Sequence, residues 1–376
     1  MPLLLLLPLL LEFLTIGVIV LDVYLIHEWY TYRNTYLHDH ARYCLYGAIA
    51  ITAYSFLGGS SMKLILSKRK KGEDEPCGER SNTREVLVRP DGTQINIEFE
   101  GNASGEPILF VHGWMANSTE WYYQKKFFGR DHRVILIDLA GLGKSTRPKD
   151  KDFSLQKMAA DLDAVITHLK LSKLTLWGHS IGGMTILTYC KDFKANAELH
   201  VISIVLQHTT FTNPIYTSIL SGLLKAIEKP VLYPLCYLMI ALSPLFWLNK
   251  WMSYLNGHSH ISTRLLSFAG TQTAAQLDFI TRLSALAPPA ITARGVLGML
   301  KTYDVTNDLD KIKIPALIIA ADKDRLTKPV ASEFMDKKLP NSKMVVISPA
   351  GHQGLIERHE EVNRAAKGFI DSLINK

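Results

Sequence analysis

The chain has 376 residues, of which 47% are apolar and 20% charged. That is long enough to bury one large core, too apolar for a disordered chain and too charged for a membrane protein throughout. The net charge of +7 lies wholly beyond residue 80, because the first 80 residues carry 8 basic and 8 acidic side chains. With no arginine-rich stripe between aromatics, this diffuse surplus points to anionic membrane surfaces and away from nucleic acid.

The first predicted element, Leu3 to Ile26, is almost wholly apolar, broken by Glu12 and Asp22. No basic residue precedes it and no small-residue cleavage site follows, so it does not read as a secretory signal. Tyr43 to Met62 is a second run of 20 residues without a charge. About 20 residues, at roughly 1.5 Å rise each, cross a hydrocarbon layer as a helix. Glu12 at mid-span would cost about 2.5–3.5 kcal/mol. The first run is therefore either a weaker span paired with the second or a helix lying in the interface. Residues 1–66 read as a membrane anchor of one or two helices. Lys68-Arg69-Lys70-Lys71 follows. Basic residues flanking a span are retained on the cytoplasmic side, which orients the rest of the chain toward the cytoplasm. If both runs span, Met1 is cytoplasmic as well and His27 to Arg42 is the outer loop. Residues 67–83 are polar, contain Pro76 and Gly78, and read as a linker.

From residue 84 to 376 the pattern changes to strand–helix alternation. Glu85 to Val88 and Gln94 to Phe99 form a hairpin around Pro90-Asp91-Gly92. Short apolar runs follow at 107–111, 134–138, 174–178, 201–207, 316–321 and 344–347, with helices at 155–169, 180–193, 330–338 and 360–374. Such alternation predicts a doubly wound, mostly parallel sheet with ligands at the strand C-terminal ends. Between about 209 and 310 it stops. The middle of this insertion, Val231 to Asn249, carries Lys and Arg nowhere and no acid, but contains Pro234 and Pro244. A membrane span is one reading. A greasy cap over the strand ends is favoured, because a crossing here would need a second one before Ala316.

Chemistry-bearing residues follow these strands. Gly178-His179-Ser180-Ile181-Gly182 places a serine on a tight strand-to-helix turn, where neighbouring side chains would collide without the glycines. A serine hydroxyl needs an imidazole to take its proton, and the imidazole needs a carboxylate to fix its tautomer. Asp322-Lys323-Asp324 follows one later strand and Ser348-Pro349-Ala350-Gly351-His352 the next. The order serine, aspartate, histidine is that of the α/β-hydrolase arrangement.

The chain resembles the α/β-hydrolase superfamily from about Arg84 onward, in its esterase and haloperoxidase-like branch. Val111-His112-Gly113-Trp114, with Trp121 beyond, resembles that family's strand-end turn. Asp138-Leu139-Ala140-Gly141-Leu142-Gly143-Lys144-Ser145 resembles its D-x-x-G-x-G-x-S loop, with Ala140 and Leu142 where a polar residue and a histidine are frequent. Ala320-Ala321 replaces a frequent glycine. The family spacing makes the acid Asp324 if Ala321 takes the glycine's place, leaving Asp322 as a solvated loop carboxylate. The resemblance and the turn geometry agree on the amides of Trp114 and Ile181 as an oxyanion hole. His112 and His179 read as structural, and His208 and Trp247 are candidates for the substrate pocket. His258 and His260 lack further ligand-type neighbours, so no metal site is expected. Cys44, Cys77, Cys190 and Cys236 have no paired spacing and predict no disulfide framework.

The resulting expectation is a membrane-associated serine hydrolase without cofactor, cleaving a lipophilic ester through Ser180, His352 and Asp324. Acyl transfer, thioester, amide or C–C bond hydrolysis and perhydrolysis use the same triad. A non-catalytic membrane scaffold is the alternative from a different class. Dehalogenases and epoxide hydrolases of this fold carry an aspartate where Ser180 stands.

Overall fold

Eight strands form one sheet in a computed structural model that describes residues 3–67, 69–218 and 220–374. Lys68, used above to orient the chain, and Met1, placed by that orientation, lie outside the described residues. The strands are β1 (Thr83–Val88), β2 (Gln94–Gly101), β3 (Pro107–Val111), β4 (Arg133–Ile137), β5 (Leu174–His179), β6 (Val201–Gln207), β7 (Ala316–Ala321) and β8 (Ser342–Ile347). They lie in the order β1-β2-β4-β3-β5-β6-β7-β8. Only β1 with β2 and β2 with β4 pair antiparallel. The central strands β3, β4, β5 and β7 are buried except for the first residues of β3 and β4, Pro107 and Arg133, as their mainly apolar runs require when helices cover both faces.

Two apolar helices precede the sheet, α1 (Leu3–Tyr32) and α2 (His38–Ile65). Leu10–Tyr32 and His38–Ile65 are each long and apolar enough to cross a membrane. They form an antiparallel hairpin in which Thr52 donates to Asp22 at 2.8 Å and Leu25 lies beside Gly47. Continuing that register places Glu12 level with the last turns of α2, near the open end of the hairpin and not at mid-span. There Asn249 hydrogen-bonds its carboxylate.

The core helices are α3 (Tyr122–Phe128), α4 (Leu155–His168), α5 (Ile181–Asp192) and α6 (Lys194–His200). The sequence pattern missed α3 and α6, which have seven residues each. In α3 five of the seven are buried, so no polar face marks a helical period.

Between β6 and β7 the chain forms α7 (Pro214–Thr217), α8 (Ser221–Ile227), α9 (Tyr233–Ala241), α10 (Ser243–Leu255), α11 (His258–Ser267), α12 (Ala274–Leu286) and α13 (Pro289–Thr302). The axis bends by 97° at Leu242, between α9 and α10, so the apolar middle of the insertion is not one straight span. These helices make a cap. The chain ends with α14 (Pro329–Lys338), α15 (Gly354–Glu357) and α16 (His359–Ile374).

The cap rests on the hairpin. His258 bonds Thr15 of α1 at 2.8 Å and Tyr54 of α2 at 2.9 Å, and Lys63 pairs with Asp278 at 3.2 Å. The segment expected to be a free tether is docked as well. Tyr122 donates to Asp74 at 2.6 Å, and Thr273 of the cap donates to Glu75 at 2.7 Å. Arg80 enters a buried cluster, 2.5 Å from Glu98 and 2.8 Å from Asp138. Its polar composition signalled solvent, but the partners of these charges come from distant sequence.

Candidate active site

Ser180 sits where β5 turns into α5, at φ 52° and ψ −118°. A non-glycine residue is held there only when its surroundings dictate it. They do so here. The Ser180 amide donates to the Gln207 carbonyl at 3.0 Å, and the Thr209 hydroxyl donates to the Ser180 carbonyl at 2.6 Å. A Cβ on Gly182 would lie 2.0 Å from the Val111 carbonyl oxygen, so the turn closes only with glycine.

His352 follows β8, and its Nδ1 donates to Asp324 Oδ2 at 2.9 Å. That bond leaves Nε2 as the basic nitrogen of the neutral ring. Asp324 also accepts from the amides of Leu326 and Thr327 at 2.8 and 2.9 Å, and from the Thr327 hydroxyl at 2.8 Å. Burial opposes its charge, but His352 and these donors hold its carboxyl below the usual carboxylate range. Asp322 is no solvated loop carboxylate. It accepts from the Ala350 amide and the Ser348 hydroxyl, both at 2.9 Å, and so braces the turn that delivers His352.

Ser180 and His352 line the same cavity, of about 880 Å³. Trp114 lines it too, with its indole nitrogen donating to the Thr292 carbonyl at 3.2 Å. Its ring packs where a Cβ on Gly295 would stand only 1.9 Å away. Among the described residues, no group accepts from the amides of Trp114 or Ile181, which leaves both donors available.

The other histidines separate by their partners. Leu139 donates its amide to His112 Nε2 at 3.0 Å, so Nδ1 carries the proton and donates to the Gly113 carbonyl at 2.7 Å. His179 donates from both nitrogens, to Glu120 at 3.1 Å and to the His352 carbonyl at 3.0 Å, and is therefore a cation. His208 and Trp247 do not reach the cavity. His208 is buried with neither ring nitrogen bonded, and burial pushes its pKa down to about 3. Trp247 is 48% exposed and packs on Trp251. The sequence showed each near a strand end or in the cap, but not which way it faces. His258 and His260 bond Thr15, Tyr54 and Asp278. No cluster of three metal-type ligands occurs among the described residues.

Glu120 was missed by sequence reasoning. It is wholly buried and accepts from the Gly113 amide at 2.7 Å, from His179, and from Gln353 at 3.2 Å. An acid seven residues beyond Gly113, next to Trp121, was the available signal.

Residues 106–359 match the alpha/beta hydrolase fold family. A non-heme haloperoxidase of Rhodococcus erythropolis is 28% identical over 298 residues, covering 76% of this chain and 99% of the relative. A proline iminopeptidase of Lactobacillus crispatus is 25% identical over 271 residues, 70% of this chain and 90% of the relative. An esterase from Thermogutta terrifontis superposes with a TM-score of 0.64 at 25% identity, over 77% of this chain and 99% of that one. A bacterial membrane phospholipase A superposes at 0.62 with 19% identity, over 90% of this chain and 99% of that one.

Proposed function

Because this chain belongs to the α/β-hydrolase fold family, we propose that it is a membrane-anchored serine hydrolase cleaving the carboxylic ester of a lipophilic acyl substrate. The observation that carries this reading is the buried Asp324–His352 pair, bonded at 2.9 Å, opening on the same cavity as Ser180.

In this reading the Ser180 hydroxyl attacks the ester carbonyl while His352 Nε2 takes its proton. The amides of Trp114 and Ile181 receive the oxyanion, and each such donor is typically worth about 10²–10³ in turnover. Collapse expels the alcohol, which takes the proton back from His352. Water, deprotonated by the same nitrogen, then releases the acid from Ser180. Asp324 stays ionised and holds the imidazole in the tautomer the reaction needs.

A lipophilic substrate is supported by the cavity wall, much of it from Leu235, Leu238, Leu242, Phe246, Val296 and Met299. Membrane anchoring is supported by the two long apolar helices. Residues 84–376 are under four-fifths of the chain, so the likeness to the membrane phospholipase A extends into the residues before them. The basic residues that follow α2, Arg69 to Lys71, favour a cytoplasmic hydrolase domain.

A fluorophosphonate probe tests the nucleophile. The wild type should be labelled and Ser180→Ala should not; label persisting on that variant refutes the assignment. A nitrophenyl ester series should be cleaved, with preference for longer acyl chains. An inert, unlabelled protein would favour the scaffold reading.

A further inference from the structure

The cavity that holds Ser180 and His352 extends to the first helix of the chain, where Glu12, Phe13 and Ile16 line it. Among its described lining residues, those that are also exposed are Phe13 (67%), Ile16 (46%), Leu238 (47%), Leu242 (41%) and Leu245 (63%). A residue that both lines a cavity and is exposed stands at its mouth. The mouth is therefore framed by α1, α9 and α10, and every side chain on its rim is large and apolar. Water-facing openings carry polar rims, whereas an apolar patch of this kind marks contact with lipid or another apolar surface. The adjoining face of α1 continues it, with Leu14, Val20, Leu21 and Val23 each about half or more exposed. That face belongs to a helix long and apolar enough to cross a membrane.

We propose that this mouth is a lateral portal, through which a bilayer-resident ester lipid passes its acyl chain directly from the hydrocarbon layer to Ser180. The inference rests on the hydrolase reading and adds the route and the physical state of the substrate. It makes α1 a wall of the substrate site as well as an anchor. Glu12, Asn249 and Lys250 line the cavity beside the rim, and Asn249 Oδ1 has no hydrogen-bond partner. They give the lipid's polar head groups to bond on entry. The level of Glu12, near the open end of the hairpin, suits the boundary between head groups and hydrocarbon.

The test uses the full chain in phosphatidylcholine vesicles. Nitrophenyl palmitate is embedded in the vesicles and nitrophenyl acetate is supplied from the water phase. Ile16→Arg and Leu245→Arg place a charge on the rim, and Leu242→Trp adds bulk without charge. Each should lower the ratio of palmitate to acetate turnover by about tenfold or more. An unchanged ratio overturns the portal. The wild type supplies an independent measurement. At fixed total palmitate, added phosphatidylcholine should slow hydrolysis in proportion to the falling mole fraction. A rate indifferent to that dilution means entry from water and overturns the portal with the hydrolase reading intact. A wild type inert toward both esters refutes the hydrolase reading, and the portal with it.

Discussion

Glu120 joins two loops that the proposed reaction needs in register. One oxygen takes the Gly113 amide beside Trp114, and the other takes His179, whose second nitrogen holds the His352 carbonyl. Burial opposes both charges, yet each stabilises the other. Glu120 is brought down to about 2 and His179 is raised. The carboxylate's share of stability is present above its unfolded value of about 4.3 and is lost as pH falls toward about 2. The cation's share is present below its unfolded value of about 6.5 and is lost as pH rises through the raised value. Glu120→Gln keeps an acceptor for Gly113 but removes the charge. Its thermal midpoint near neutrality should fall by the equivalent of at most about 3–5 kcal/mol, since His179 is then free to give up its proton. Between about pH 5 and about pH 3 its midpoint should drop less than the wild type's. An equal acid dependence would place the acid-sensitive charge elsewhere. Turnover should fall about tenfold, the size of one weakened hydrogen bond. Of the partners of Glu120 only Gly113 is near in sequence, seven positions away; His179 and Gln353 lie 59 and 233 positions away, so the charge pair was not legible from its neighbours. Ser180, Asp324 and His352 were legible, because each follows an apolar strand at a spacing that local backbone geometry enforces.

At the level of elements, the central strands were readable because burial on both faces leaves mainly apolar runs, interrupted by small polar residues such as Thr175 in β5 and Ser203 in β6. The cap was readable only as a composition. Its prolines and apolar residues predicted cover, but the 97° turn at Leu242 and the face each side chain presents depend on tertiary contacts. That is why Trp247 was placed in the pocket and stands outside it. Gly295 on α13 shows the same limit. It reads as a mild helix weakness, yet it is the socket for the Trp114 ring. Gly295→Ala must displace that ring and with it the backbone whose amide is proposed to bind the oxyanion. The expected result is a fall in kcat of up to about 10² with little change in fold stability. Steady-state kinetics beside circular dichroism checks this; an unchanged kcat would mean the ring gives way without moving the amide.

Across the whole molecule, the hairpin and the hydrolase domain are joined by more than a tether. The cap meets α1 and α2 through His258, Thr15 and Tyr54, and through backbone approaches that only small residues permit. A Cβ on Gly58 would lie 2.4 Å from the Asn256 carbonyl oxygen, and one on Gly59 would lie 2.5 Å from that of Tyr254. These glycines look like ordinary small residues of a membrane helix, whose close approach favours helix packing. Here the approached elements are the last turn of α10 and the turn that leads into α11. If the hairpin frames the portal, wedging it off the cap should disturb lipid entry before it disturbs the chemistry. Gly58→Leu inserts that wedge at a residue that does not line the cavity of Ser180. Overpacking of this sort costs about 1–3 kcal/mol, so the cap should become more open to protease while the sheet stays folded. The wedge should reduce turnover of a vesicle-embedded ester more than that of a water-soluble one. Loss of both in proportion would instead mean that the hairpin supports the fold alone and takes no part in delivering substrate.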